Sequence, residues 1–170
     1  GLLGSKYYAE NPIFPLGQTV GGVNMDSLNP NGPAKDIVVV GRGKSQLDAY
    51  LEKVAKAANV AIVDEPTPEK GFYYRSDHFS FAKLGVPFFN FSSGEDLVDG
   101  GKDAGKKAAE DYEKNRYHAP SDEYAAIKNW DGMLADLKLY YAAGRMLAST
   151  DTWPNWNEGD EFRAARDKSR

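Results

Sequence analysis

Short apolar runs that keep returning between stretches of helical periodicity constrain this chain more than any other feature. Asp36-Ile37-Val38-Val39-Val40 is β-branched and too short for a helix, so it reads as a buried strand. Gln18 to Met25, Ala61-Ile62-Val63 and Pro87 to Phe91 are three further strand candidates. Between them the period changes. Ser45 with Asp48 three residues on is a capping-box variant, after which Leu47, Tyr50, Leu51, Val54 and Ala58 recur at helical spacing. A short helix is expected from Asp77 to Leu84, stopped by Gly85, and another from Ala104 to Lys114. The longest helix is expected over Trp130 to Thr150, with Trp130, Met133, Leu134, Leu137, Tyr141, Gly144 and Ala148 as its apolar face. A charged terminal helix is expected from about Glu158. Strands alternating with helices and no hairpin signals predict an α/β layer architecture.

Several function classes fall away on composition. The chain has 170 residues, about one domain, with 21 basic against 25 acidic side chains and a net charge of −4. A nucleic-acid binder would carry a basic surplus or stripe. No apolar run approaches the roughly 20 residues that cross a bilayer. The absence of cysteine excludes disulfides, thiolate metal sites and a cysteine nucleophile. The run Val40-Gly41-Arg42-Gly43-Lys44-Ser45 follows a strand and opens a helix, as a phosphate-binding loop does. That motif needs a glycine where Val38 stands, inside the strand, so nucleotide binding is not expected.

Ligands of such sheets gather at the carboxyl ends of strands. Asp26 stands there, readable either as a turn-forming or capping residue or as a metal or proton-handling carboxylate. The two histidines are His78 and His118. His118 lies in Tyr117-His118-Ala119-Pro120-Ser121-Asp122, where Asp122 either supports the imidazole as a metal ligand or caps the next helix. His78, in Tyr74-Arg75-Ser76-Asp77-His78, reads as structural. Phe79, Phe88 and Phe89 read as core rather than as pocket lining, and the substrate-binding residues are unassigned.

Four tracts in order carry a resemblance: Gly1-Leu2-Leu3-Gly4-Ser5 with Tyr8, Val23-Asn24-Met25-Asp26, Tyr74 to His78 with Gly85-Val86-Pro87, and Tyr117 to Asp122. Together the chain resembles the two-zinc exopeptidase family that includes the bacterial leucyl aminopeptidases and the Streptomyces-type aminopeptidase. The resemblance implies a three-layer zinc-exopeptidase-like α/β fold, with a mixed, mostly parallel sheet flanked by helices. It implies Asp26 as a ligand of one zinc, His118 as a ligand of the other, and Tyr74 as a hydrogen-bond donor to the tetrahedral intermediate, while Asp122 stays the candidate carboxylate behind His118 by its position alone. Two zincs would hold a hydroxide that hydrolyses N-terminal peptide bonds, so a peptide is the implied substrate. In the family a Glu-Glu pair stands just upstream of the Gly-Leu-Leu-Gly-Ser tract, with a His-x-Asp tract and a bridging aspartate farther upstream.

Residues 1–170 are therefore expected to be the C-terminal portion of one catalytic domain, inactive and weakly zinc-binding alone. The partner is then the N-terminal half of the domain or a second copy. Neither Glu65 nor Glu95 has the spacing of a substitute base. Two other activities share the scaffold: a non-catalytic binding module like the transferrin-receptor ectodomain, and a zinc-dependent cyclase or acyl transferase like the glutaminyl cyclases. By resemblance the parent is expected to be secreted or periplasmic.

Overall fold

The computed structural model describes residues 1–124, 127 and 129–170. Four strands form one sheet: β1 (Gly22–Asn24), β2 (Asp36–Val39), β3 (Ala61–Asp64) and β4 (Phe88–Ser93), in the order β1-β4-β2-β3. β1 runs parallel to β4 and β2 parallel to β3, while β2 and β4 are antiparallel. Strand β4 serves both neighbours by halves. Phe88, Phe89 and Asn90 pair with β1, and Phe91, Ser92 and Ser93 pair with β2. The sheet is thus mixed and mostly parallel, and the expected α/β class holds.

Among the described residues six α-helices accompany the sheet: α1 (Leu3–Glu10), α2 (Asp48–Ala57), α3 (His78–Ala82), α4 (Gly101–Asn115), α5 (Asp131–Ala148) and α6 (Arg163–Ser169). Side chains alternate across a strand, so Phe89 and Phe91 face one way and Phe88 the other. Phe89 and Phe91 join Ile37 and Val39 of β2, Leu51, Val54 and Ala55 of α2, and Leu139, Tyr140, Ala143 and Leu147 of α5 in the main core. Phe88 packs instead on Phe81 of α3, with ring centres 4.7 Å apart. Helices therefore cover both faces. Among the described residues no helix is long and apolar enough to cross a membrane.

Several expected boundaries move. The strand anticipated over Gln18 to Met25 shrinks to three residues, because Leu16–Gln18 forms a 3-10 turn in front of it. Helix α2 begins at Asp48 rather than behind a Ser45 cap. The Ser45 hydroxyl accepts from the Leu47 N–H at 3.3 Å, and the Asp48 carboxylate turns back to the Gly43 N–H at 2.7 Å. Helix α1 lacks a sequence signature because only Ala9 of its eight residues is buried.

The largest correction concerns α5. Its expected apolar face is largely on the outside, with Leu134 50% and Tyr141 67% exposed. The buried face is Gly132, Asp136, Leu139, Tyr140, Ala143 and Leu147. Two residues explain the rotation. At Gly132 a Cβ would stand 2.6 Å from the carbonyl oxygens of Asn29 and Gly32, so only glycine admits that loop. Asp136 accepts from the Asn29 N–H at 2.9 Å and from the Ser93 hydroxyl at 2.5 Å, tying the helix to the loop after β1 and to β4. Tyr140 adds a ring stacked on Phe91 at 3.8 Å and a hydroxyl bonded to its backbone.

Candidate functional site

Asp26 is exposed, two residues past the carboxyl end of β1. Its carboxylate accepts a hydrogen bond from the Ser76 hydroxyl at 2.7 Å, and that hydroxyl accepts from the Asn24 side-chain amide at 2.8 Å. The same amide reaches the Asn90 side-chain oxygen at 3.2 Å. A polar chain thus runs from the interior of β4, across β1, to the Asp26 carboxylate.

Ser76 follows a 3-10 turn, Phe72–Arg75, which carries Tyr74. The Tyr74 ring lies edge-on to Tyr73 (5.4 Å) and to Phe79 (5.3 Å), so packing sets its direction while the residue stays 46% exposed. Its hydroxyl donates to Glu161 Oε1 at 3.0 Å, which holds the phenol above its ordinary pKa. Asp26 and Tyr74 therefore belong to two segments joined through Ser76.

His78 opens α3 and is 1% exposed, edge-on to Tyr73 at 4.6 Å. Both ring nitrogens are buried, and among the described residues neither has a hydrogen-bond partner of good geometry. Burial pushes its pKa down to about 4, against the opposing charge of Asp26. A neutral, enclosed imidazole is the structural role read from the sequence.

His118 sits in the turn after α4 with a left-handed backbone (φ 57°), exposed, its ring stacked on Tyr117 at 3.9 Å. Asp122 accepts from the Tyr112 hydroxyl at 2.8 Å, and Ser121 donates to the Asn115 carbonyl at 2.6 Å, folding this turn back on the end of α4. A groove of about 520 Å³ runs beside α4, lined by Asp99, Asp111 and Arg116 among others, and Asp26, Tyr74 and His118 are not among its lining residues.

Among the described residues no three His, Cys, Asp or Glu side chains come together as a metal-holding group. A catalytic zinc takes three protein ligands and a water. The described residues do not by themselves fit a complete catalytic zinc site. Glu65 cannot supply a base beside Asp26 in this sheet. It comes directly after β3, at the opposite edge from β1, three strand spacings or about 14 Å away.

The polar groups of the Gly41–Ser45 loop are engaged within the protein. The Gly43 N–H is taken by Asp48, and Lys44 is paired with Asp160 at 2.9 Å and Glu161 at 3.3 Å. Asp160 and Glu161 escaped sequence reasoning. No local motif marks them, and only the fold brings Glu161 to Tyr74, 87 positions away. A family model described as peptidase family M28 matches residues 1–139. No curated protein and no solved structure gives a match.

Proposed function

The chain belongs to peptidase family M28, a metallopeptidase family, and from that premise we propose that it forms part of the catalytic domain of a zinc aminopeptidase. Asp26 would hold one zinc and His118 the other, and the remaining ligands and the general base would come from further polypeptide. Asp122 supports His118 through the carboxylate oxygen that Tyr112 leaves free. Tyr74 donates a hydrogen bond to the oxyanion as the N-terminal peptide bond is attacked. A donor aimed where charge develops is worth about 3–4 kcal/mol in well-studied oxyanion holes.

The observation that carries this reading is the Ser76 hydroxyl on Asp26, which ties the metal-binding carboxylate and the tyrosine turn into one unit. The experiment is a zinc titration of the 170-residue chain by calorimetry, with aminoacyl-nitroanilide hydrolysis assayed alongside. Weak zinc binding and no hydrolysis are expected. Tight binding of two zincs, or turnover by the chain alone, would overturn the division of ligands. A complete protein that neither retains metal nor cleaves peptides would favour a non-catalytic binding module instead.

A further inference from the structure

Residues 151–170 lie beyond the family-matched part of the chain, yet they are built into the fold. Trp156 and Phe162 are buried in a cluster with Tyr73 and Ala82, and the Trp156 indole donates to the Gly85 carbonyl at 2.8 Å. The fully buried Arg166 donates to the carbonyls of Leu16, Thr19 and Val20. These anchors fix Asp160 and Glu161 beside the tyrosine turn. Lys44 completes the group, its ammonium over the rings of Tyr73 (5.1 Å) and Phe162 (5.0 Å). Burial alone would lower the Lys44 pKa, but Asp160 and Glu161 outweigh it and the group stays a cation.

A phenol has one proton to donate, and that of Tyr74 is given to Glu161 Oε1. The Lys44 ammonium lies 3.3 Å from the same oxygen. We propose that Glu161 is a latch on Tyr74: while its carboxylate accepts the phenol proton the hydroxyl cannot serve an oxyanion, and a shift of Glu161 wholly onto Lys44 frees it. The inference rests on the reading of Tyr74 as the oxyanion donor. Only hydrogen bonds are exchanged. Tyr74 keeps its proton, Glu161 stays a carboxylate, and no covalent bond changes. The Glu161 side chain is 54% exposed, so it can swing within solvent, and an exposed charged contact of this kind is cheap to break.

Two measurements test the latch. In the 170-residue chain carrying ¹³C-labelled tyrosine, NMR tracks the titration of Tyr74 in wild type and in Glu161→Ala. The midpoint should fall in the variant, because the Glu161 hydrogen bond is the leading cause of its elevation. An unmoved midpoint overturns the contact. In the metal-loaded holoenzyme, Glu161→Ala should raise kcat about fivefold with KM unchanged, the worth of one released hydrogen bond. Lys44→Met, which leaves Glu161 to Tyr74 alone, should lower kcat. A Glu161→Ala enzyme with equal or lower kcat overturns the latch. If Tyr74→Phe is fully active, the oxyanion reading falls and the latch with it. If Tyr74→Phe is impaired while Glu161→Ala is no faster, the latch alone falls.

Discussion

His78 gives the sharpest pH signature available to a single side chain here. Its folded pKa is depressed to about 4 from 6.5, so the folded state resists a proton that the unfolded chain accepts. The stability it contributes is fully present above pH 6.5 and is lost as the pH falls from there towards 4. A shift of that size corresponds to something on the order of 3 kcal/mol. Urea unfolding at pH 7 and at pH 4.5 should show that loss in wild type and a much smaller one in His78→Leu. Identical acid slopes in the two proteins would remove His78 from the explanation. Tyr74 belongs to the proposed catalysis instead. In the complete enzyme Tyr74→Phe should reduce kcat by about 100-fold and leave KM nearly untouched, since its bond strengthens only as the oxyanion forms. Steady-state kinetics that show a KM effect alone would refute that role.

At the scale of elements, the strands were readable because Ile37, Val38, Val39 and the Phe88–Phe91 run are too apolar and too short for anything else. Their directions were not. That β2 opposes β4 is decided by pairing between residues more than fifty positions apart, which no local pattern records. Helix α5 shows a second limit. Counting apolar side chains selects the wrong face, since the buried one contains Gly132, chosen for the loop it admits, and Asp136, chosen for the two groups it satisfies. The two faces can be told apart by urea denaturation. Leu139→Ala should cost about 2–5 kcal/mol, as a truncated core leucine does. Leu134→Ala, on the exposed side, should stay within about 0.5 kcal/mol. Asp136→Ala should cost about 1–3 kcal/mol by stranding the Asn29 N–H and the Ser93 hydroxyl. Equal costs at Leu134 and Leu139 would mean that α5 is turned the other way.

Over the whole molecule, the family match ends at residue 139, while the fold depends on residues well beyond that point. Removing residues 151–170 takes Trp156 and Phe162 away from Tyr73 and withdraws Arg166 from three carbonyls. The shortened chain should lose its near-ultraviolet aromatic dichroism and unfold at lower urea, whereas retention of both would make the segment dispensable. This dependence explains which parts of the site were legible. Asp26, Tyr74 and His118 stand in short recognisable tracts, but Glu161 has meaning only through the distant tyrosine it touches. The proposed function rests on Asp26 and His118 each holding one of two zincs. The zinc content of the complete enzyme, measured by plasma mass spectrometry, tests that most directly. Two ions per molecule are predicted in wild type and about one in each of Asp26→Ala and His118→Ala. Two ions retained in both variants would contradict the account.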